Sequence, residues 1–182
     1  MIRASTRWLL AMALLLGGMQ TAAAVDPPKG WEPRSGDAWV DRQLDDINRY
    51  GERYRDAFID ELVRYQGTPR ELAQEMLAQR GWKPGDLYYA CAMAQAIGQP
   101  CRNVIAEWTR DHDAGWAGVG KRLDIAPGSP PFRKLKRGFV DSYDHWGRPL
   151  VLDAELRRAF PDRGKAASEQ GDAGGGANAA RK

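Results

Sequence analysis

From Trp39 onward, large apolar residues fall at Trp39, Val40, Leu44, Ile47, Tyr50, Tyr54, Phe58, Leu62 and Tyr65, in steps of mostly three and four. With Asp, Glu and Arg on the opposite face, that spacing predicts one long amphipathic helix over 37–65. Gly51 interrupts it and marks a place to kink or split. "QGTPRELAQEMLAQRG" carries signals at both ends: Thr68 as cap, Pro69 at the first helical position, Glu71 completing a capping box and Gly81 ending the run. Asp86 is the expected cap of "LYYACAMAQAI", a stretch apolar nearly all round and so expected at the centre. Gly98 closes that helix. Pro100 precedes "CRNVIAEWTRDH", with Val104, Ile105 and Trp108 as its inward stripe. A short helix over 115–123 follows, and "PGSPPFRKLKRG" restarts one with Ser129 as cap and Pro130 just inside. "FVDSYDHWGRPLVL" reads as a turn of helix or an irregular arm. No stretch alternates as a strand does. The expected fold class is all-α: a small orthogonal helical domain of about five to six helices, with a long N-terminal amphipathic helix and a disordered C-terminal tail.

The ends of the chain bear on location. Arg3 and Arg7 precede the apolar "WLLAMALLLGGM", and Ala22 and Ala24 supply the small residues of a cleavage site, so residues 1–24 read as a secretory signal peptide. That apolar run is too short for a stable span, so the mature chain is not expected to cross a membrane. The expected location is periplasmic or secreted. Removing Arg3 and Arg7 from 27 basic residues leaves 25 against 24 acidic ones, a balance that gives no global argument for nucleic acid or anionic membrane. Residues 25–36 read as a flexible segment and 37–160 as one helical domain. The tail, 161–182, has no large apolar residue and is expected to be disordered.

Chemistry is sparse. In "GWAGVGKR", Gly115, Gly120 and Lys121 fit a phosphate-loop spacing, but Arg122 stands where Ser or Thr would hold a metal ion. A phosphate loop must also leave a buried strand, and "EWTRDHDA" is polar and helical, so no nucleotide is expected. The helical alternative puts Trp116, Val119 and Leu123 inward and Lys121 and Arg122 outward, with Gly118 and Gly120 against a neighbouring helix. The segment also has the cadence of a helix-turn-helix. Its basic face, Lys121, Arg122, Arg133, Lys134, Lys136 and Arg137, is the candidate binding surface beside the simpler reading of a solvated helix face.

"RGWKPGDLYYACAMAQAIGQPC" followed by "GWAGVGKRLDIAPGSPPFRKLKRG" resembles an uncharacterised family of secreted or periplasmic bacterial helical proteins. Its pattern is G-W-G-x-I-A-x-x-L-G-I-x-P-G-S before a basic F-x-x-L-K-x-G segment. Trp116, Leu123, Pro127, Gly128, Ser129, Phe132, Leu135, Lys136 and Gly138 match; Ala117, Gly120 and Asp124 depart from it. Asp124 stands where a glycine would more easily end a helix in the left-handed conformation. The resemblance covers about residues 65–138. It implies a helical envelope protein and carries no established activity.

Cys91 and Cys101 are the only cysteines, and an oxidising compartment makes a disulfide the default. A simple antiparallel hairpin holds them too far apart, so the bond needs a steep crossing or a shortened first helix; the alternative is a buried free Cys91. His112 and His145 are each flanked by aspartates, and a shared metal site would need them to converge with Asp111, Asp113 or Asp144. Their spacing does not require it, so neither metal nor cofactor is expected. The acidic residues of "DRQLDDINRYGERYRDAFIDE" alternate with Arg and read as a solvated, salt-bridged face. Trp31, Trp82 and Trp146 fall in turns, where an aromatic plugs a helix junction or anchors a partner.

No catalytic set converges. The leading expectation is a non-enzymatic periplasmic protein that binds an envelope protein or cell-wall component, with 37–65 as a partner or homo-oligomer surface. The alternatives are a metal-dependent envelope hydrolase at the His112 and His145 surroundings, or a helix-turn-helix-like nucleic-acid binder, which conflicts with the export signal.

Overall fold

The computed structural model describes residues 31–163. The expected signal peptide, residues 25–30 and residues 164–182 lie outside the described residues; residues 161–163, expected to begin the disordered tail, are helical. Within them the chain is helical, with no strand. The helices are α1 (Ala38–Arg53), α2 (Arg55–Gln66), α3 (Arg70–Ala78), α4 (Pro84–Ala96), α5 (Cys101–Arg110), α6 (Gly115–Arg122), α7 (Pro130–His145) and α8 (Ala154–Ala159). None is long and apolar enough to cross a membrane.

Among the described residues eight helices of six residues or more replace the expected five or six, for two reasons. First, the 37–65 helix is broken at Tyr54, which leaves helical geometry (φ −126°, ψ 54°) and stands 49% exposed. Gly51 is not the break. A Cβ there would lie 2.4 Å from Pro84 Cβ, so its missing side chain lets α1 close on the start of α4. Asn48 Oδ1 accepts the Gly85 N–H at 2.6 Å in the same contact. Second, Asp153 caps an unanticipated α8 by accepting the Leu156 N–H at 2.9 Å.

α4 is the centre. Its residues from Pro84 to Ala94 are all buried, and α1, α2, α3, α5 and α7 pack around it. Trp39, Val40, Leu44 and Ile47 of α1 and Phe58, Ile59 and Leu62 of α2 are buried, so this segment, expected as a partner or homo-oligomer surface, is part of the core. Its apolar stripe is spent within the chain.

Several local expectations change with burial. Thr68 does not cap α3: its Oγ1 is buried without a partner, and Pro69 takes the cap position with no side-chain bond. Asp86 lies inside α4 and reaches back, with Oδ2 accepting the Lys83 N–H at 3.2 Å and Oδ1 the Trp116 Nε1–H at 2.8 Å. α7 runs straight through Gly138, because Phe139, Val140 and Tyr143 continue its buried face. Residues 33–36, expected to be flexible, lie against α6. The carbonyls of Pro33 and Arg34 accept the Trp116 and Ala117 N–H groups at 2.9 and 2.8 Å, satisfying donors that a helix start leaves orphaned.

Cys91 and Cys101 are joined, with Cα atoms 4.4 Å apart. The first helix is not shortened. Residues 97–100 double back along α4, and Gln99 N–H bonds to Ala94 O at 2.9 Å. Ile97 (ψ 7°) and Gly98 (φ +69°) turn the chain at the end of α4, and Pro100 (φ −63°, ψ 140°) leads it into α5. α5 therefore begins beside the middle of α4, where the bond closes.

Candidate functional site

The basic face predicted at 121–137 is largely consumed by internal bonding. Lys136 is 2% exposed. Its Nζ donates to Asp37 Oδ2 at 2.7 Å and to Asp153, lies 3.6 Å from Glu155, and sits 5.4 Å above the Trp39 ring. Burial pushes against its charge, but the bonds to Asp153 and Asp37 outweigh this and hold its pKa above the usual lysine value. Asp37 and Asp153 are the caps of α1 and α8, so Lys136 fastens two helix starts to α7. It belongs to no binding surface.

Arg122 is exposed, as expected, but lies along the end of α5. It bonds Glu107 Oε2 (3.2 Å) and Asp111 Oδ2 (3.0 Å), and the carbonyls of Glu107 and Asp111 at 3.0 and 2.6 Å, thereby closing the end of α5. Lys134 Nζ lies 3.3 Å from the last carbonyls of α4, those of Gln95 and Ala96, and Arg133 bonds Gly128 O. Lys121 and Arg137 are exposed.

The glycines of α6 separate in role. A Cβ at Gly120 would lie 2.8 Å from Ile125 O, whereas one at Gly118 would meet Ala114 within the same chain segment, not a neighbouring helix. Ile125 N–H bonds to Gly120 O at 2.7 Å, and Asp124 takes the left-handed conformation (φ +58°), as a helix end of this kind requires.

The two histidines occupy different neighbourhoods. His112 bonds Trp108 O through Nδ1 at 2.9 Å and stacks on the Trp108 ring. His145 pairs through Nδ1 with Glu61 Oε1 at 3.2 Å and stacks on Tyr65, with centroids 3.7 Å apart. Asp111 is taken by Arg122 and Asp144 by Arg163. No group of three or more His, Cys, Asp or Glu able to hold a metal forms among the described residues.

A different surface has the chemistry of recognition. Asp46, Arg49, Tyr50, Arg53, Tyr54 and Ala57 follow one another at helical spacing, forming a stripe along α1 and onto α2. Trp146 and Arg148, in the turn that ends α7, face it across an open groove of about 550 Å³. The turn is fixed by Gly147 N–H to Asp144 O and Arg148 N–H to Tyr143 O, both 2.9 Å. Trp146 packs 4.7 Å from Tyr50 and 5.3 Å from Tyr143, and the Arg148 guanidinium lies 5.2 Å over Tyr50.

Charge in this groove is unevenly spent. Asp46 accepts from Tyr143 Oη (2.6 Å), Arg148 Nη2 (2.8 Å) and Arg49 Nη2 (3.4 Å). Burial alone would raise its pKa; the bonds from Tyr143 and Arg148 more than reverse this and lower it. Arg49 pairs with Asp45 as well. Arg53 has no carboxylate partner among the described residues and stands 5.4 Å over the exposed Tyr54 ring. Arg148 Nη1 and Trp146 Nε1 are buried donors without an acceptor. The groove thus has a cationic surplus on an aromatic floor.

No family model, curated protein or solved structure matches the chain.

Reading 41–61 as a solvated, salt-bridged face concealed this groove. Its helical signal was present at 46, 49, 50, 53 and 54, but the opposing wall comes from a turn about a hundred residues away. Trp146, expected as a junction plug or a partner anchor, plugs the junction between α1 and α7 and also lines the groove. Glu61, read as solvated, is 6% exposed.

Proposed function

We propose that this chain is a non-enzymatic periplasmic protein that binds another envelope component, and that it does so in the groove between α1 and the end of α7. One observation carries the reading: Arg53, Tyr54, Trp146 and Arg148 line one open surface that holds more cations than carboxylates. Tyr, Trp and Arg dominate the energetics of protein recognition, because each gives a large, stiff contact area with a polar or charged tip. Arginine over an aromatic ring keeps its donors free for a bidentate anion. The component that fits is therefore anionic at the contact, a carboxylate-bearing protein surface or wall polymer. The export signal and the family resemblance over 65–138 support the location. The intramolecular use of the α1 and α2 stripe leaves Tyr54 and Tyr65 as the exposed aromatics of the segment first expected to pair with a partner or second copy.

The test is site-specific photo-crosslinking in cells. A photoreactive residue at Tyr54 is expected to give a discrete adduct with an envelope component, and Arg53→Glu is expected to abolish it. The same residue at Val151, 83% exposed, is the control. Equal adducts from Val151, or an adduct that survives Arg53→Glu, would place recognition elsewhere.

A further inference from the structure

The last described residue, Arg163, stands beside the groove. It pairs with the Asp144 carboxylate. The Asp144 carbonyl in turn accepts the Gly147 N–H at 2.9 Å, in the turn that sets Trp146 and Arg148 as one wall. Arg53 belongs to the opposite wall. The Trp146 and Tyr50 ring centroids are 4.7 Å apart and those of Tyr50 and Tyr54 5.5 Å, and the Arg53 guanidinium lies 5.4 Å from the Tyr54 centroid. Those three steps put this guanidinium no more than about 16 Å from the Trp146 ring.

The sequence that follows Arg163 has the complementary charge. Residues 166–180, "AASEQGDAGGGANAA", carry Glu169 and Asp172 and no cation. These carboxylates come six and nine residues after Arg163, and chains of those lengths reach at most about 20 and 30 Å. The first limit exceeds the width of the groove, and the second is nearly twice that width, which leaves length for the approach from Arg163.

Resting on the reading of the groove as a cationic recognition surface, we propose that residues 166–180 of this same chain occupy it when no partner is bound. Glu169 and Asp172 lie against Arg53, and an incoming anionic component displaces them. The segment has no side chain larger than Glu or Gln, so it leaves the Tyr50, Tyr54 and Trp146 rings without an apolar partner and its contact is weak. Tethering compensates, because an occupant on the same chain acts at an effective concentration of about millimolar. A partner that sets an apolar or aromatic side chain beside its carboxylate gains the contact that the segment lacks. The device is a threshold: a lone carboxylate does not open the groove, and a carboxylate on a complementary surface does.

Photo-crosslinking of the purified protein, with the photoreactive residue at Tyr54 and mass spectrometry of the digest, reads the occupant apart from any partner. An adduct between position 54 and the tryptic peptide that begins at Ala166 is expected, with a yield independent of protein concentration. Glu169→Gln combined with Asp172→Asn should lower that yield about twofold to fivefold, the range for an exposed ion pair. Salt at about 0.5 M should lower it similarly, by screening. The double variant changes no residue of the eight helices, so the fold is common to both proteins. In cells it should raise the envelope adduct at Tyr54 by a similar factor. Three results overturn the proposal: no intramolecular adduct, an adduct undiminished in the double variant, or one that forms only at high protein concentration. An envelope adduct that the double variant leaves unchanged removes the competition. An envelope adduct without the intramolecular one removes this occupant and leaves the groove as a partner site; the reverse result keeps the occupant and removes the partner.

Discussion

Lys136 and Arg53 each place a cation 5.4 Å from an aromatic ring, Trp39 in one case and Tyr54 in the other. Everything else about them differs. Lys136 is nearly out of water and surrounded by three carboxylates, two of them helix caps. Arg53 stands in solvent with no carboxylate partner among the described residues. A buried cation must be matched because its desolvation costs several kcal/mol; an exposed one need not be, and an exposed, unmatched cation over a ring remains free for a partner. Basic residues that cluster in sequence therefore do not make a basic surface. Partners brought by distant segments decide which of them stay free.

The largest effect should come from breaking the matched site. Lys136→Met leaves Asp37 and Asp153 facing each other without their cation and loosens the starts of α1 and α8. We expect about 3 kcal/mol of lost stability, or roughly 10 °C in Tm for a domain of this size, by thermal or urea unfolding. Arg53→Met should change stability by no more than about 0.5 kcal/mol. Similar costs for the two would end the distinction between them.

Arg122 tests the comparison at an intermediate position, since its side chain is 26% exposed. Arg122→Ala removes two ion pairs and two bonds that close the α5 carbonyls. About 1–2 kcal/mol is expected in denaturant unfolding, against less than about 0.5 for Lys121→Ala next to it.

Legibility followed the range of the interaction. The α3, α4, α5 and α6 segments and the Ser129 cap of α7 were readable because periodicity, Pro, Gly and cap residues act within a few positions. The Tyr54 break, the purpose of Gly51, the continuation of α7 past Gly138 and the burial of Lys136 were not. Each depends on a contact made from far along the chain: Pro84 for Gly51, and Asp37 and Asp153 for Lys136. The groove has the same origin: half of it was visible as helical spacing, and the other half is supplied by a remote element.

A smaller effect of opposite sign is expected in the basic segment's own turn. Asp124 is a non-glycine in the left-handed region, which costs an L-residue roughly 1 kcal/mol, less for Asp than for most. Glycine avoids this strain but has more freedom to lose on folding. Asp124→Gly should therefore stabilise by only about 0.5 kcal/mol in urea unfolding; destabilisation would mean that the Asp124 side chain does more at this helix end than its lack of bonds suggests.

The finest test concerns Glu61, in the segment that holds Arg53 and buried where Arg53 is open. Burial raises its pKa above the ordinary 4.5, and the hydrogen bond and charge of His145 offset only part of that. The folded state therefore holds this proton more tightly than the unfolded chain does. A raised folded value contributes stability that is present below the unfolded value and lost as pH rises through the folded one. Glu61→Gln keeps an acceptor for His145 and cannot titrate. The stability difference, variant minus native, should rise as pH increases from below 4.5 toward neutrality. Because His145 offsets much of the burial penalty, the change should be the smallest of the four, best read by paired urea titrations across that range. A difference that falls with pH would mean that the His145 pair, not burial, controls Glu61, and that this carboxylate is matched as fully as those around Lys136.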